Sequence, residues 1–283
     1  MRPGIAVNAA RCMACYACFM ACKDEHCGWD SALTKAQPHM GQYWMNIVEW
    51  ERGDSERRIK TATVPPPCSH CENPACIAAA KDGAVYKRED GVDIIDPEKS
   101  KGQKAIVDAC PIHAVYWNEE LEIPQKCTMC AELMDDPEYP GKEPRCVEAC
   151  PNQALVYGDL DDPNSEVSKL IAANKVTPLE GLEGIKTQVV HLNVPSRFLA
   201  GTVYYPAEEE EVVIGAKVKV TCDCCGTTFE TETNWAGDWE IENLPKDKTF
   251  TVEISFPGYK TVTIANQSTE HDHYVGMTYL EKA

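Results

Sequence analysis

The 283-residue sequence has little that would suit a membrane or a nucleic acid. No apolar run approaches the roughly 18 residues that a membrane span needs, so direct membrane insertion is not expected. The start, MRPGIAVNAARCMAC, has neither an apolar signal core nor a twin arginine, which predicts a cytoplasmic protein or export bound to a partner with such a signal. Basic residues number 27 against 45 acidic ones, and the net charge of −18 argues against nucleic-acid binding.

Cysteine, in contrast, is abundant. The chain has 16 cysteines, and most of them fall before residue 151 in recurring C-x-x-C units. A disulfide framework would suit a small secreted scaffold, but nothing in the sequence indicates secretion. Clustered C-x-x-C units in an intracellular chain favour metal ligation.

The first cysteine group has the spacing C-x2-C-x2-C-x3-C, in CMACYACFMAC. This spacing is typical of bacterial ferredoxins, in which three close thiolates bind one [4Fe–4S] cubane and the fourth ligates the other cluster of a two-cluster fold. A zinc ion takes four ligands and fits a third cysteine at this spacing poorly. The group therefore predicts an iron–sulfur cluster.

The last cysteine group keeps the C-x2-C start and the C-x3-C-P end, with 15 residues (131–145) between its second and third cysteines. A loop of that length closes at little extra entropic cost. Exchange of the fourth ligands then pairs the first and last groups into two clusters. Cluster A takes Cys12, Cys15, Cys18 and Cys150. Cluster B takes Cys127, Cys130, Cys146 and Cys22.

The two middle motifs are incomplete in matching ways. The third cluster, cluster C, takes Cys68, Cys71, Cys76 and Cys110. Cys110 comes from DPEKSKGQKAIVDACP, the only cysteine left in a loop that has the frame of a cluster motif. The corresponding fourth cluster would need the positions of Ala80, Ser100, Gln103 and Ile106, none of which is a cysteine. The sequence therefore predicts that one whole site is deleted and that three cubanes remain.

Four residues near these ligands have two interpretations each. Arg11, Lys126 and Arg145 directly precede ligands, where a cation would raise the reduction potential of an anionic cluster, or they are simply solvated side chains. Cys27 lies outside the three ligand sets. We expect it to be a spare thiol in a loop, with a role near the first cluster as the alternative.

The sequence predicts an α+β protein with two domains. Residues 1–195 are expected to form a tandem ferredoxin-like [4Fe–4S] domain, including a hairpin at Asp90-Gly91, a helix capped by Asn164 or Ser165, and the extended strap VVHLNVP. Residues 196–283 contain short alternating runs broken by Gly, Pro, Asn and Asp. They predict an antiparallel, all-β transthyretin-like or Ig-like sandwich of about seven strands.

The second domain contains no catalytic constellation. Cys222, Cys224 and Cys225 in CDCCG suggest a metal site or a disulfide, but a metal would need one more ligand, so unligated thiols are favoured. His271 and His273 fit a polar turn better than a metal site. The acidic run at residues 208–211 is expected to be a solvated loop.

The cysteine frame, the Cys-Pro half-motifs and the strap resemble a known family. They are similar to the electron-transfer (beta) subunit of molybdopterin oxidoreductases of the dimethyl-sulfoxide-reductase family, over roughly Ile5 to Pro195. The three-cluster pattern looks like the transhydroxylase members, through YWMNIVEWERG, CSHCENPAC, GAVYKREDG, IDPEKSKG, VYWNEE and QKCTMCAELMDD. Those members also end in a transthyretin-like or carboxypeptidase-regulatory-like domain, which GAKVKV and TNWAGDWEIENLP match.

The resemblance implies a non-catalytic electron-transfer subunit in a heterodimer or larger assembly, in an anaerobic setting. The partner would be a large catalytic subunit that holds molybdenum or tungsten with two molybdopterin guanine dinucleotides and acts on polyhydroxylated aromatics by transhydroxylation, dehydroxylation or hydroxylation. One alternative is the iron–sulfur subunit of a respiratory reductase for an oxyanion or a sulfur compound, linked to a membrane anchor. Another is a non-redox protein whose clusters only staple the fold.

Overall fold

The computed structural model describes residues 1–206, 209 and 211–283, whose contacts divide the chain into two units. Unit 1 comprises Met1–Glu49 and Thr63–Val194, and unit 2 comprises Trp50–Ala62 and Pro195–Ala283. Of the predicted acidic loop, Glu208 and Glu210 lie outside the described residues. Residues 50–62 group with the second unit, although the sequence analysis placed them in the first domain.

The helices are short, and the strands are more numerous. The helices are α1 (Ala17–His26), α2 (Ala75–Ala79), α3 (Ala105–Asp108), α4 (Ala131–Met134), α5 (Arg145–Glu148) and α6 (Glu166–Ala172), with a 3-10 turn at Ala9–Arg11. The first nine strands are β1 (Pro3–Asn8), β2 (Val48–Ser55), β3 (Arg58–Val64), β4 (Val85–Lys87), β5 (Asp93–Ile95), β6 (Val115–Asn118), β7 (Ile123–Lys126), β8 (Leu155–Asp159) and β9 (Val189–Leu192). The others are β10 (Arg197–Tyr204), β11 (Lys217–Cys222), β12 (Thr228–Glu232), β13 (Asp238–Leu244), β14 (Thr249–Ser255), β15 (Val262–Ser268) and β16 (His273–Tyr279). Among the described helices, none has the length and apolar character that a membrane crossing requires.

A three-stranded sheet forms the centre of unit 1. Strand β1 is buried along its whole length, between the antiparallel β8 and the parallel β9, which is the predicted strap. Its side chains Ile5 and Val7 belong to one core with Cys18, Cys22 and Cys146. The core of unit 1 is therefore built partly from cysteines of clusters A and B.

The Cys-Pro repeat has the same backbone in each copy. Gly83, His113 and Gln153 lie three residues after Ala80, Cys110 and Cys150, and each has a φ between 50° and 66°. A strand begins two residues later in all three copies, as β4, β6 and β8. The predicted hairpin is confirmed as β4–β5, and the predicted helix is confirmed as α6, with Ser165 accepting the capping bond from the Ser168 N–H.

Unit 2 contains two sheets that share one core. One sheet has the order β13-β10-β16 and the other β12-β11-β14-β15. Leu199 and Val203 of β10 pack in the same core as Val218 of β11 and Phe250 of β14. The pairing of β10 with β16 is parallel, so the expectation of a wholly antiparallel sandwich was wrong. The chain reaches β16 from β15 in the other sheet, so no hairpin fixes the direction of β16.

Ion pairs explain why residues 50–62 belong to unit 2. The guanidinium of Arg52 is buried and lies 3.0 Å from Asp272 and 3.1 Å from Glu242. Lys60 binds both Glu240 and Glu242. Cationic side chains of the β2–β3 hairpin thus form ion pairs with acidic side chains of residues 195–283.

Candidate iron–sulfur centres

Each C-x-x-C loop in unit 1 turns at the same position. Ala14, His70 and Met129 follow the first cysteine of their loops by two residues, and their φ angles are 53°, 45° and 58°. The Met129 N–H donates to Cys127 Sγ at 3.3 Å. Left-handed turns of this kind point backbone N–H groups into a concavity, which suits an anionic iron–sulfur cluster.

The loop without its cysteines keeps this turn. Gly102 lies two residues after Ser100, the position of the missing first ligand, and has a φ of 77°. Glycine adopts this conformation without steric cost. The backbone frame of a cluster loop therefore persists where the ligands have been replaced.

Side chains fill the position of the missing cluster. Ile106 is fully buried and packs with Ala80, Ala84 and Val115. Gln103 accepts from the Lys81 N–H at 2.8 Å and donates to the Lys99 carbonyl at 2.7 Å. An apolar cluster and one amide thus join the two loops that a fourth cubane would have joined.

The four cysteines predicted for cluster A line one cavity. Cys12, Cys15, Cys18 and Cys150 all contribute to its wall, together with Tyr16. Burial raises the pKa of Cys18 to about 12, and repulsion from Cys150, Cys12 and Cys15 adds to the rise. The structure therefore brings together a triplet from the first loop and a cysteine from the last.

The cysteines predicted for cluster B are also neighbours. Burial raises the pKa of Cys130 well above its usual value, and repulsion from Cys146, Cys22 and Cys127 contributes to the rise. Cys22 comes from α1, whereas the other three come from the last motif. Cys22 of the first motif thus lies with the three cysteines of the last motif, where the sequence analysis assigned it.

Cluster C shows the same pattern. Burial raises the pKa of Cys71 to about 12, and Cys68, Cys76 and Cys110 raise it further. Cys110 Sγ accepts from the Ala114 N–H at 3.3 Å, and Cys150 Sγ accepts from the Ala154 N–H at the same distance. Cys110 therefore lies with Cys68, Cys71 and Cys76. The turn that follows Cys110 has the same hydrogen bond to sulfur as the turn that follows Cys150.

The spacing of the sulfur atoms suits a cubane better than a single metal ion. In a tetrahedral zinc site with Zn–S bonds of about 2.3 Å, the sulfurs lie about 3.8 Å apart. Among the described residues, no three of these twelve cysteines have sulfurs within 4.8 Å of one another. Because burial raises the pKa values of most of these thiols, a strongly cationic group such as iron is needed to hold them as thiolates. The sets therefore fit [4Fe–4S] clusters.

Contacts between the sets show which of them are close together. Repulsion from Cys18, a cluster A cysteine, raises the pKa of Cys146 in cluster B. Repulsion from Cys68, a cluster C cysteine, raises the pKa of Cys127 in cluster B. The cysteines of set B are therefore close both to those of set A and to those of set C.

Lys126 is buried between two of these sets. Its ammonium donates to the carbonyls of Asp93 and Cys127. Burial alone would lower the pKa of Lys126, but the charges of Cys68, Asp93, Cys76 and Cys127 outweigh burial and raise it. Of the two interpretations of Lys126, the cation beside the clusters is the one that agrees with the structure.

The other two cations differ from Lys126. Arg145 is half-exposed and pairs with Glu25 at 2.8 Å and Glu148 at 2.9 Å. The side chain of Arg11 is exposed. The solvated interpretation therefore suits Arg11, and the charge of Arg145 is largely compensated.

His26 is a residue that the sequence analysis missed. Its Nε2 lies 3.6 Å from Cys130 Sγ and its Nδ1 lies 3.2 Å from a Glu132 carboxylate oxygen. Burial lowers the pKa of His26 to about 4, so the ring is neutral at pH 7. His26 follows Cys22 by four residues on α1, and that helical spacing is the signal that would have placed it beside cluster B.

The remaining candidates lie outside the three sets. Cys27 Sγ is 3.3 Å from His39 Nδ1. His271 is exposed, and His273 binds Asp54. Neither histidine joins a metal-ligand group among the described residues.

Tandem cysteine loops, each with a cysteine triplet beside a cysteine from another motif, indicate the class of [4Fe–4S] iron–sulfur proteins. The family model for a 4Fe-4S dicluster domain matches residues 59–160. The small subunit of pyrogallol hydroxytransferase from Pelobacter acidigallici is 36% identical over 276 residues, which cover 93% of this chain and 95% of that protein.

Two further relatives match a smaller part of the chain. The probable anaerobic dimethyl sulfoxide reductase chain YnfG from Escherichia coli is 30% identical and covers 74% of this chain and 98% of that protein. A sulfite dehydrogenase subunit from Allochromatium vinosum is 34% identical, and the match covers 56% of this chain and 68% of that protein. The chain belongs to the family of iron–sulfur electron-transfer subunits of dimethyl-sulfoxide-reductase-type molybdopterin oxidoreductases.

Proposed function

We propose that the chain conducts single electrons through three [4Fe–4S] clusters, in the order A, B, C, to or from a large catalytic subunit. The ligands are the three sets of four cysteines given above. The observation that carries the proposal is the grouping of the twelve sulfurs, in which each triplet has its fourth cysteine from a different motif. The chain itself is non-catalytic and supplies binding, insulation and electrostatic tuning.

The partner in this proposal is a molybdopterin subunit that holds molybdenum or tungsten and two molybdopterin guanine dinucleotides. Cluster A is the one that exchanges electrons with the partner in this proposal. Cys15 is exposed, and Met13 and Met20 of the same segment are 61% and 60% exposed. Exposed apolar side chains of this kind mark contact surfaces with other proteins. The assembly is at least a heterodimer.

Polyhydroxylated aromatics are the proposed substrate class, with transhydroxylation, dehydroxylation or hydroxylation as the reaction in the partner. The match to the pyrogallol hydroxytransferase subunit supports this, because it spans 93% of the chain and so includes most of unit 2. As part of the proposal, residues 196–283 form a transthyretin-like domain, completed by the hairpin of residues 50–62. The second candidate is a respiratory reductase subunit, which the matches to enzymes of sulfur compounds favour.

The experiment is anaerobic purification of the native complex, identification of its large subunit and assay of both substrate classes. We expect a molybdopterin subunit, turnover of a trihydroxybenzene, and cluster signals in electron paramagnetic resonance on reductive titration. Turnover of a sulfur oxyanion together with a copurified membrane anchor would favour the second candidate. Clusters that accept no electron within roughly −700 to +450 mV would refute electron transfer.

A further inference from the structure

Three cysteines that are not cluster ligands converge in unit 2. The sulfurs of Cys222, Cys224 and Cys225 lie within 4.8 Å of one another, and those of Cys222 and Cys224 are 3.3 Å apart. Cys222 is buried, whereas Cys224 and Cys225 are exposed. The three sulfurs are therefore held together at the surface with one side open to solvent.

The hairpin turn between β11 and β12 fixes this arrangement. The Gly226 N–H donates to the Cys222 carbonyl at 2.8 Å, and the Cys222 N–H donates to the Thr227 carbonyl at 2.8 Å. Cys222 also pairs with Phe250 on β14. The backbone of Cys222, which carries one of the three sulfurs, is thus fixed by hydrogen bonds within the turn and by pairing with β14.

The turn has the sequence C-x-x-C-G, in which Gly226 has a φ of 72°. Glycine adopts this left-handed conformation without steric cost. Two cysteines at C-x2-C spacing on one turn are the usual half-site for a structural metal. Cys224, between Cys222 and Cys225, adds a third sulfur.

The geometry favours one metal ion over a disulfide. The Cα atoms of adjacent residues are about 3.8 Å apart, which is short of the roughly 4.4–6.8 Å that disulfides usually span, so a Cys224–Cys225 bond is disfavoured. A bond from Cys222 to either Cys224 or Cys225 would leave the third thiol unused, whereas a metal ion engages all three. An ion with metal–sulfur bonds of about 2.3 Å needs sulfurs about 3.8 Å apart. This spacing lies between the 3.3 Å that separates the sulfurs of Cys222 and Cys224 and the 4.8 Å within which all three sulfurs lie.

We infer that Cys222, Cys224 and Cys225 bind one thiophilic metal ion, of the class of Zn²⁺, through three thiolates. Thiolate ligands select such ions over magnesium or calcium. Water completes the coordination on the open side, because the carboxylate of Asp223 is engaged by the Thr251 hydroxyl at 2.8 Å. Binding releases the thiol protons to solvent.

The test uses the native complex, loaded with Zn²⁺ and dialysed against a weak chelator under anaerobic conditions. Zinc and iron are counted separately, and X-ray absorption at the zinc edge reports the ligands without interference from iron. We expect about one zinc per chain, bound by three sulfurs and one oxygen at the usual bond lengths. Cys224→Ser and Cys225→Ser should each lose the zinc and keep the wild-type iron content, and Cys27→Ser, which removes the other surplus thiol, should retain the zinc.

Three results would overturn the inference. They are loss of all zinc on dialysis of the wild type, equal zinc in Cys225→Ser and wild type, and a mass two hydrogens lower that shows a disulfide within residues 222–225. None of these results bears on iron content or on electron transfer. Failure here is therefore distinguishable from failure of the proposed function.

Discussion

At the level of single residues, burial distinguishes three cations that have the same position relative to a cluster cysteine in the sequence. Arg11, Lys126 and Arg145 all precede a cluster cysteine, yet only Lys126 is buried and placed beside two of the sets. Sequence position alone cannot show this, because the burial of Lys126 depends on how β7 packs against β5. His26, in contrast, could have been placed beside cluster B from its four-residue spacing to Cys22 on α1.

Replacement of Lys126 by glutamine should lower the reduction potentials of clusters B and C. Glutamine retains a donor for the Asp93 carbonyl and removes only the charge. Two unit charges about 8 Å apart interact by about 2 kcal/mol at an effective dielectric constant of about 20, which corresponds to roughly 90 mV for one electron. A redox titration followed by electron paramagnetic resonance should therefore show decreases of several tens of millivolts on this scale.

The control is Lys104→Gln, at a lysine whose side chain is 62% exposed. It should leave all the potentials near those of the wild type, because solvent screens its charge. If Lys126→Gln and Lys104→Gln gave the same potentials, Lys126 would have no role in tuning the clusters.

His191 should make stability sensitive to mild acid. Burial lowers its pKa from 6.5 to about 4, and its Nε2 lies 3.3 Å from the Pro65 carbonyl. The unfolded state therefore binds the proton first, so the contribution of His191 to stability is complete above pH 6.5 and decreases as the pH falls towards 4. At about pH 5.5 the expected loss from this residue is about 1 kcal/mol.

Thermal unfolding at about pH 7.5 and about pH 5.5 tests this expectation. His191→Gln should lose less stability between the two conditions than the wild type loses. His271→Gln, at an exposed histidine, should behave like the wild type. An identical acid-induced loss in wild type and His191→Gln would show that this histidine is not responsible.

At the level of elements, features with a local sequence signal could be predicted. The docking of elements that are distant in the sequence could not. The Cys-Pro turns, the β4–β5 hairpin and helix α6 follow from local signals, namely cysteine spacing, a glycine at a left-handed position and a capping serine. The parallel β10–β16 pair and the docking of the β2–β3 hairpin in unit 2 depend on contacts between residues that are distant in the sequence, such as Leu199 with His273 and Arg52 with Asp272. No local pattern encodes either of them.

Arg52→Met should destabilise unit 2. Arg52 and Asp272 are both nearly inaccessible, with 3% and 5% of their side chains exposed. Removing one member of a buried ion pair leaves the other charge poorly compensated and typically costs about 3–5 kcal/mol. Chemical denaturation should show a loss near the lower end of that range, because Arg197 also lies near the Asp272 carboxylate.

Arg57→Met is the matched control, at an exposed arginine of the same hairpin. It should change stability little. Should both variants unfold at the wild-type denaturant concentration, the ion pair would not be what secures residues 50–62 in unit 2. Iron content should be unchanged in both.

At the level of the whole molecule, the absence of a fourth cluster is a prediction from the spacing of the cysteines. Of the four positions where its ligands would stand, Ile106 and Ala80 pack in one apolar cluster, Gln103 binds the Lys81 N–H, and Ser100 is buried. The hydrogen bonds of Gln103 could not be predicted from the sequence, because they depend on the approach of a separate loop.

Cys110→Ala tests the assignment of Cys110 to cluster C. The variant should contain about four fewer iron atoms per chain than the wild type, because Cys110 serves one [4Fe–4S] cluster and alanine cannot ligate iron. Cys27→Ala should keep the full content. Full retention of iron in Cys110→Ala, or loss of two clusters, would refute the pairing of Cys110 with Cys68, Cys71 and Cys76.

Counting the inorganic atoms of the native complex tests the presence of three clusters most directly. Protein prepared without oxygen should contain, in this chain, about twelve iron and about twelve acid-labile sulfide, four of each for every cubane. A value near eight or near sixteen, or zinc in place of iron at the twelve cysteines, would contradict it.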